Sequence, residues 1–487
     1  MWLFVLVASV YLLTAAGRFA NYDAESMFAV TRSLYERGSL DVGPCEARSW
    51  SIACVRGTDG RFYSGYGVIP SVAALPFYAA GRIAAQMTGF NVELATNAAV
   101  SVMNCFVGAL ACVALFLWAM QVGCTERQAL LAAILLAFAT PLWFHSTKEF
   151  YSEPLFTLFL VASFTALSRR TRNSAIIAGV LFGLAVGTRV FGLIYLPIAC
   201  AYALLASRPP KSGRSSAVWF LLPVLVCLVG IGVLNQDRFG SPLNTGYHVA
   251  LPTLGAVFST PLHEGLWGIF FAGDVGLVWF APLVLLLPFT WTRFHRDYKL
   301  ESFVCIAVVA SSIIFFSAYT YWQGGWSYGP RLLTPILPFL IFPLSSMLSQ
   351  ASEARFSRSI ASRAALVLIP LAVVIQVIGI IPPYSRQYYL KAFYDVEHPR
   401  PWWHRSLLLK NVEDLPQVMS HVSTRASLSE NERYLQGLPN SINQLAPDIW
   451  WLKAAALGKS WLIFVSSALI IALIAAAAAF RLRRVNA

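Results

Sequence analysis

Apolar stretches almost free of charged residues recur along the whole chain, and short basic or longer polar connections separate them. A helix needs about 20 mostly apolar residues to cross a membrane. Twelve stretches approach that length, and one of them carries an acid, Glu153, near its start. The pattern therefore predicts an all-α polytopic membrane protein with about twelve transmembrane helices. The predicted crossings are 2–17, 94–120, 128–144, 150–168, 174–188, 190–207, 216–234, 275–292, 302–320, 332–349, 364–381 and 460–480.

The charges in the connections test this helix count. If the N-terminus lies inside, four of the inner loops and the C-terminal tail each hold three basic residues, such as Arg169, Arg170 and Arg172, whereas each short outer loop holds one, such as Arg238. Basic residues collect on the cytoplasmic side of membrane proteins. The apolar stretch 66–87 is rich in glycine and proline, and counting it as a crossing would invert every later loop. We therefore expect it to form a surface or re-entrant helix, with both termini inside.

Composition removes other classes of protein. Of the 487 residues, 57% are hydrophobic and 12% are charged, whereas soluble proteins are about 45–50% apolar and about 25% charged. Basic inner loops explain the net charge of +13 better than nucleic-acid binding does. The sequence contains no GxxxxGK(S/T) phosphate loop, no GxGxxG and no DxD, so a soluble nucleotide-binding half is not expected.

Three segments follow from this topology. Residues 1–381 are expected to form the transmembrane catalytic bundle, which includes a long first outer loop at 18–93. Residues 382–458 form a small segment on the outer face, and residues 459–487 form the last transmembrane helix and a basic cytoplasmic tail. The outer loops contain no N-x-(S/T) sequon, which favours a bacterial inner (cytoplasmic) membrane.

Two residue types in the outer loops carry expectations of their own. Cys45 and Cys54 share the first outer loop, and because an outer compartment permits disulfides, we expect them to form a bridge. Tryptophan is enriched at lipid headgroups, so the tryptophan pairs of the last outer segment are expected to dock it there. These pairs are Trp402, Trp403, Trp450 and Trp451.

Ionisable residues near the crossings gather at the predicted outer ends, and none lies at mid-depth. Charges inside a membrane are costly, and ion-coupled transporters usually contain them. A polar cap above apolar walls suits a head group presented from the outer leaflet, with its lipid tail among the helices. The residues of this cap are Asp23, Glu25, His145, Lys148, Glu149, Glu153, Arg189, Asp237, Asp274 and Arg331.

Several motifs follow one another along the predicted outer face. An acid-x-acid pair, Asp23 and Glu25, follows the first crossing, and Glu153-Pro154 begins a later one. The remaining motifs are Tyr63-Ser64-Gly65-Tyr66-Gly67-Val68-Ile69-Pro70, Gly187-Thr188-Arg189-x-x-Gly192, Phe239-Gly240-Ser241-Pro242-Leu243-Asn244-Thr245-Gly246-Tyr247 and Trp326-Ser327-Tyr328-Gly329-Pro330-Arg331. In their order and placement they resemble polyprenyl-phosphate-dependent glycosyltransferases of the GT-C superfamily, related to protein O-mannosyltransferases and the lipid A aminoarabinose transferase. Those relatives commonly have Thr-Asp where this chain has Ser152-Glu153.

The resemblance implies a GT-C-like bundle and a reaction on its outer face. A sugar would pass from a polyprenyl-phosphate donor to an acceptor hydroxyl, by direct displacement with inversion at the anomeric carbon. Acceptors in such families include proteins, glycans, lipid A and polyprenyl-linked intermediates, so neither the acceptor nor the sugar is specified. The cofactor is equally open, with a divalent metal as one option and no ligands assigned to it.

Candidate roles follow from the chemistry of this reaction. Arginine matches phosphate bidentately, so Arg331 and Arg189 are the candidates for binding the donor phosphate. A carboxylate can serve as the base if apolar surroundings raise its pKa. Asp23 is the first choice for that base and Glu25 the second. The candidates for substrate binding are Tyr63, Tyr66, Tyr328, Glu153 and Lys148.

Plainer interpretations of the same residues stay open. Asp23 and Glu25 would favour the first turn of any surface helix, and Arg331 and Arg189 would serve as interfacial anchors. The three tyrosines are equally typical of an aromatic belt. His145, Lys148 and Glu149 are expected to form a solvated loop. His248 and His263, with an acid, are a weak metal candidate.

Two other functions compete with the transferase. Twelve crossings are common in transporters, and a flippase for lipid-linked sugars is the main alternative. The charge-free mid-membrane region and the absence of internal repeats oppose it, because many transporters contain such repeats. A non-catalytic membrane scaffold is the third option, and the clustered outer charges argue against it.

Overall fold

The computed structural model describes most of the chain, and the resulting molecule is mainly helical. Among the described residues, the central apolar cluster packs around Trp118, whose ring lies 4.9 Å from that of Phe342 and 5.7 Å from that of Phe164. The described ranges are 1–19, 21–45, 53–206, 210–246, 257–325, 327–347, 360–383, 406–423, 446–456 and 461–486.

The α-helices are numbered in chain order. They are α1 Trp2–Thr14, α2 Tyr22–Arg37, α3 Ile69–Ala73, α4 Leu75–Thr88, α5 Val92–Ser101, α6 Met103–Gln121, α7 Glu126–Phe138, α8 Leu142–Thr147, α9 Glu153–Ser168, α10 Arg172–Thr188, α11 Leu196–Leu205, α12 Pro210–Phe239, α13 Leu262–Phe271, α14 Leu277–Phe280, α15 Leu287–Asp297, α16 Lys299–Ala318, α17 Leu337–Ile341, α18 Ile360–Ile380, α19 Leu407–Ser423, α20 Trp450–Ala456 and α21 Trp461–Asn486.

Short 3₁₀-helices and one β-hairpin complete the described secondary structure. The 3₁₀-helices are Val190–Tyr195, Pro282–Leu286, Arg331–Ile336 and Phe342–Ser346. The hairpin pairs β1 (Cys54–Arg56) with β2 (Phe62–Ser64) in antiparallel register. It packs against the end of α12, because Tyr63 contacts the ring of Phe239 at 6.1 Å.

Within the described part of the chain, five helices are long and apolar enough to cross a membrane. The chain is therefore a multi-pass membrane protein, as the sequence predicts. These helices are Val92–Gln121, Ser216–Phe239, Lys299–Ala318, Ile360–Ile380 and Leu462–Arg483. The shorter apolar helices are Trp2–Thr14, Glu153–Ser168, Arg172–Thr188, Val190–Leu205 and Arg331–Ser346. The predicted count of about twelve crossings is not confirmed by these lengths.

Proline explains why several predicted crossings do not form one continuous α-helix. The predicted crossing 332–349 consists of 3₁₀, α and 3₁₀ segments in succession, and prolines occur at 335, 338 and 343. The crossing 275–292 is divided in the same way around Pro282 and Pro288. Proline lacks the amide hydrogen that the helical ladder needs, and its ring clashes with the preceding turn.

The stretch 66–87 forms α3 and α4, two helices separated at Ala74. Neither is long enough to belong to the five membrane-length helices. Ile83 and Met87 on α4 are exposed. The absence of a crossing at 66–87 remains a prediction, because the helices do not define a membrane plane.

Candidate functional site

Four charged side chains from four distant parts of the chain meet at one place, and we call them the charge array: Asp23, Glu153, Arg189 and Arg331. Arg331 Nη2 donates to Asp23 Oδ2 at 2.8 Å, and Arg331 Nε lies 3.1 Å from Glu153 Oε1. Arg189 Nη2 donates to the same Glu153 oxygen at 2.6 Å. Charges alternate along the array and sum to zero, which limits the penalty for burying each of them.

The position of Asp23 follows from the way α2 begins. Asn21 caps the helix, since its side-chain oxygen accepts a hydrogen bond from the amide of Asp23 at 2.7 Å. Asp23 therefore lies in the first turn, where a carboxylate interacts favourably with the helix dipole. The amide of Asn21 is itself 3.3 Å from Glu149 Oε2 and donates to it. The chain entering α2 is thus tied to the segment that precedes Glu153.

Glu153 and Arg189 face each other because α9 begins where α10 ends. Glu153 is the first residue of α9, and Pro154 suits the first turn, where no intrahelical amide bond is lost. Arg189 follows α10 in an extended conformation, and its Nε donates to Ser152 Oγ at 2.8 Å. A side chain at Gly192 would approach the Phe156 ring to 2.7 Å, so this close turn requires glycine.

Arg331 begins a 3₁₀-helix after a glycine-rich approach. Gly329 has a φ of 77°, a conformation that glycine adopts without strain, and Pro330 follows it. The Arg331 guanidinium also lies 4.9 Å from the centre of the Tyr151 ring, an attractive cation–π geometry. The side chain of Arg331 is buried, so the interpretation of Arg331 as an interfacial anchor is not supported.

The electrostatics of Asp23 contradict one expectation. Burial alone would raise its pKa, as predicted for a base in apolar surroundings. The Arg331 charge, the hydrogen bond from Tyr66 and the Arg189 charge outweigh burial and lower the pKa of Asp23. The prediction of a raised pKa in the ligand-free protein is therefore wrong, because the sequence could not show that two guanidinium groups surround this carboxyl.

The other predicted acid, Glu25, lies two residues further along α2. Residues two apart in a helix point in nearly opposite directions, because each residue turns the helix by about 100°. Glu25 is half-buried, whereas the acid of the pair that contacts both Arg331 and Tyr66 is Asp23. The choice of Asp23 before Glu25 as the base stays a prediction.

The expectation of a solvated loop at His145, Lys148 and Glu149 is wrong. Their exposed fractions are 0%, 1% and 1%. Lys148 Nζ donates to the carbonyl oxygens of Thr14, at 2.6 Å, and Asp448. Three polar residues within five positions look like a surface loop in sequence, but each here has a buried partner from a distant segment.

The three predicted tyrosines have different surroundings. Tyr66 belongs to the site, since its hydroxyl donates to Asp23 Oδ1 at 2.5 Å. Tyr63 instead donates to Asp59 within the hairpin. Tyr328 is fully buried and donates to the carbonyl of Ile375 at 2.7 Å. The structure thus places Tyr63, Tyr328 and Lys148 in packing and tethering contacts, away from the contacts of the array.

The segment 446–456 fastens the end of α1, which leads directly to the site. The last four carbonyl groups of a helix have no intrahelical partner. Here the indole N–H groups of Trp450 and Trp451 donate to Leu12 and Leu13 at 2.8 and 2.9 Å. Helix capping therefore accounts for Trp450 and Trp451, which were expected at the lipid headgroups. Trp402 and Trp403 lie outside the described residues.

A second charged cluster surrounds this tether. Asp448 accepts from Arg18 at 3.2 Å and from Lys453, while its carbonyl accepts from Lys148. Burial lowers the pKa of Lys453 to about 7. The positive charge of Arg18 lowers this pKa further, whereas the negative charge of Asp448 raises it. Nothing in the sequence connects Asp448 to α1 over more than 400 positions, so this tether could not be predicted.

Cys45 and Cys54 are free thiols that lie in one small apolar cluster. Burial, with a contact to Cys45, raises the pKa of the Cys54 thiol. Their proximity supports the bridge, which stays a prediction.

The described residues do not offer a good fit to a divalent metal. They contain no group of three or more His, Cys, Asp or Glu side chains arranged to hold one. The two carboxylates of the array are already bound by guanidinium groups. The weak metal candidate formed by His248 and His263 includes His248, which lies outside the described residues.

Sequence reasoning missed several residues that support the array. Ser152 accepts from Arg189, Tyr151 lies against Arg331, and Asn21 caps α2. Ser152 and Tyr151 immediately precede Glu153. Their position beside a candidate acid was the sequence feature that could have identified them as site residues. Asn21 was also detectable, since asparagine two residues before an acid at a helix start is typical of an N-cap.

No protein-family model and no curated protein matches the chain. Solved structures resemble it more distantly. ArnT from Cupriavidus metallidurans bound to undecaprenyl phosphate has 14% identity and a TM-score of 0.45, over 96% of this chain and 70% of that one. The apo state of the same protein has 12% identity and a TM-score of 0.47, over 93% and 86%.

The solved structure of an archaeal protein also resembles this chain. The apo oligosaccharyltransferase of Archaeoglobus fulgidus has 12% identity and a TM-score of 0.44, over 91% of this chain and 60% of that one. Both proteins are GT-C glycosyltransferases. With TM-scores below 0.5, these likenesses carry no argument about the activity or the residues of this chain.

Proposed function

We propose that this chain is a glycosyltransferase that moves a sugar from a polyprenyl-phosphate donor to an acceptor hydroxyl at the outer face of the membrane. The observation that supports this most directly is the charge array. It combines two guanidinium groups suited to a phosphate with two carboxylates, in a buried setting at the ends of apolar helices. Such a setting strengthens electrostatic stabilisation of a transition state.

The arginines would bind the donor phosphate by exchanging partners. In the ligand-free protein, Arg331 and Arg189 are neutralised by Asp23 and Glu153. A phosphate oxygen that approaches Arg331 Nη2 competes directly with Asp23 Oδ2. Glu153 lies 2.6 Å from the guanidinium group of Arg189 and 3.1 Å from that of Arg331. Its role is to hold the two guanidinium groups side by side.

This exchange would also prepare the base. When Arg331 turns towards the phosphate, Asp23 loses the strongest influence that lowers its pKa, while its burial remains. The carboxylate then becomes a stronger base as the acceptor hydroxyl approaches. The hydroxyl proton passes to Asp23, the acceptor oxygen bonds to the anomeric carbon, and the bond from that carbon to the phosphate oxygen breaks. Displacement from the opposite side inverts the anomeric configuration.

The same proposal includes the surroundings of the reaction. The polyprenyl chain would lie among the apolar helices, and the acceptor, whether glycan, lipid or protein, would approach from the outer side. Residues 1–381 would form the catalytic bundle, 382–458 the outer segment, and 459–487 the last crossing and its tail. The membrane would be a bacterial inner membrane, with the array on its periplasmic or outer face.

The test uses purified protein in liposomes with a polyprenyl-phosphate sugar and a set of acceptors. Release of polyprenyl phosphate together with a glycosylated acceptor of inverted configuration supports the proposal. Movement of intact donor between leaflets without bond cleavage identifies a flippase and overturns it. Arg296→Gln is a suitable control, because that side chain is 70% exposed and pairs with the neighbouring Asp297.

The outer-face placement has its own test. Single cysteines replacing Arg61 and Phe90, which are exposed on either side of the 66–87 stretch, should both react with a membrane-impermeant reagent added outside. Reaction from opposite sides would show that 66–87 crosses the membrane. Ser64 is a poorer site, since it is buried and hydrogen-bonded to Ser26 at 3.0 Å.

A further inference from the structure

His145 is a buried histidine that the transfer reaction does not use. It lies on α8 with an exposed fraction of 0%. Its Nε2 atom is 3.0 Å from Ser327 Oγ, and its Nδ1 atom is 2.8 Å from Thr334 Oγ1. Both partners belong to the segment that contains Arg331, one on each side of it. The imidazole therefore spans the base of the turn from which the Arg331 side chain projects.

Thr334 continues this connection to Arg331 itself. Its hydroxyl donates to the carbonyl oxygen of Arg331 at 2.7 Å. His145 Nε2 also lies 3.1 Å from the carbonyl oxygen of Tyr328, which can only accept, so Nε2 carries the ring hydrogen and donates to it. Nδ1 is then the acceptor, and the single hydroxyl hydrogen of Thr334 is shared between Nδ1 and the Arg331 carbonyl. This assignment gives a neutral ring with one donor and one acceptor. Burial, assisted by the Arg331 charge, lowers the pKa of His145 to about 3, which keeps the ring neutral at ordinary pH.

We propose that His145 is a positioning residue, which acts through Thr334 and Ser327 to aim Arg331 at the donor phosphate. The inference rests on the proposed function, because it assigns a purpose to the orientation of Arg331. His145 reaches Arg331 in two ways: through Thr334, which bonds to the Arg331 carbonyl, and through the Tyr151 ring, which lies 5.8 Å from the imidazole and 4.9 Å from the Arg331 guanidinium. It also fixes the distance between the 327–334 turn and the 145–153 segment, which carries Glu153.

Positioning at this level has a large kinetic effect. A displacement of about 1 Å at a reacting group can lower the rate by about a hundredfold. His145→Asn keeps an acceptor near the Nδ1 position but loses the donor to the Tyr328 carbonyl, and His145→Gln has the opposite pattern. For either variant we expect turnover to fall by about 10- to 100-fold. Affinity for polyprenyl phosphate should change by less than about threefold, since Arg331 keeps its charge.

A double-mutant cycle separates positioning from simple stabilisation. Residues that act through one another show non-additive effects, whereas independent residues add. In an Arg331→Lys background, His145→Asn should therefore cost less than about threefold. Thr334→Val should resemble His145→Asn, and Thr334→Ser, which keeps the hydroxyl, should restore most of the turnover. Rates are expressed per molecule that binds polyprenyl phosphate, so loss of folded protein does not count.

The matched control is His295→Asn. His295 bonds to Ser302 Oγ at 2.7 Å through Nδ1, outside the array, so its turnover should stay within about twofold of wild type. Additive costs of His145→Asn and Arg331→Lys, or full turnover of His145→Asn and Thr334→Val, would overturn the positioning role alone. A wild-type protein that releases no polyprenyl phosphate would instead overturn the proposed function.

Discussion

Replacing Arg331 with lysine changes the centre of the array while keeping its charge. Arg331 reaches two carboxylates through two different nitrogens, Nη2 to Asp23 at 2.8 Å and Nε to Glu153 at 3.1 Å. A planar guanidinium can do this, whereas an ammonium group is a point charge without the fork. Lysine would therefore keep the net charge of the array at zero, but it would lose the planar pair of donors that fits the two oxygens of a carboxylate or a phosphate.

The expected magnitude follows from one lost charge-assisted hydrogen bond. Such a bond contributes about 1.5–3 kcal/mol, which corresponds to about 10- to 150-fold in rate at about 1.4 kcal/mol per tenfold. Arg331→Ala differs, because it leaves Asp23 without its buried partner. Removing one member of a buried ion pair costs about 3–5 kcal/mol, so the alanine variant should also unfold at lower temperature.

The assay combines three measurements on each variant: turnover, affinity for polyprenyl phosphate and thermal unfolding in the same detergent. For Arg331→Lys we expect turnover to fall within that range, with folded protein close to wild type. Arg296→Lys, on an exposed side chain, should match wild type in all three. Full turnover of Arg331→Lys would refute the reasoning and remove Arg331 from the phosphate site.

Three further predictions concern the acids and the thiols. Asp23→Asn should lower turnover by at least about a hundredfold with donor still bound, as expected for loss of a general base, whereas Glu25→Gln should stay near wild type; the reverse order would transfer the role to Glu25. Arg331→Gln should move the acid limb of the pH profile of kcat/KM to higher pH than in wild type. Removing the Arg331 charge raises the pKa of Asp23, so Asp23 becomes protonated at a higher pH as the pH falls. An acid limb that does not move would show that Arg331 does not control the pKa of Asp23. The Cys45–Cys54 bridge should appear by mass spectrometry of membranes prepared under oxidising conditions and stabilise the loop by about 2–3 kcal/mol; two free thiols there would contradict it.

The sequence predicted a cap of ten ionisable residues, but neither which four of them would form the charge array nor how those four would pair. Asp23, Glu153, Arg189 and Arg331 were all assigned to the outer face from hydropathy and from positions at crossing ends. Helix ends that share a side of a bundle lie close together, so their proximity could be anticipated. Pairing depends on side-chain directions within a few ångströms, and no pattern of spacing contains that information. The direction of the pKa shift of Asp23 was mispredicted for this reason.

The supporting contacts were harder still to predict. Lys148 and His145 look like surface residues, because polar residues between two apolar runs usually belong to a loop. Their burial depends on Asp448 and Thr334, which lie 300 and 189 positions away. The apolar stretches predicted the helical fold, but they could not show where proline would change α-helix into 3₁₀-helix, as it does beyond Arg331.

The most direct measurement is the rate at which polyprenyl phosphate is released from a polyprenyl-phosphate sugar by the wild-type protein and by Asp23→Asn, with acceptor present and absent. The charge array as reaction centre predicts acceptor-dependent release by wild type, and release slower by at least about a hundredfold in Asp23→Asn with donor affinity retained. Release that Asp23→Asn and Arg331→Lys leave unchanged, or no release by wild type with any acceptor, would contradict it.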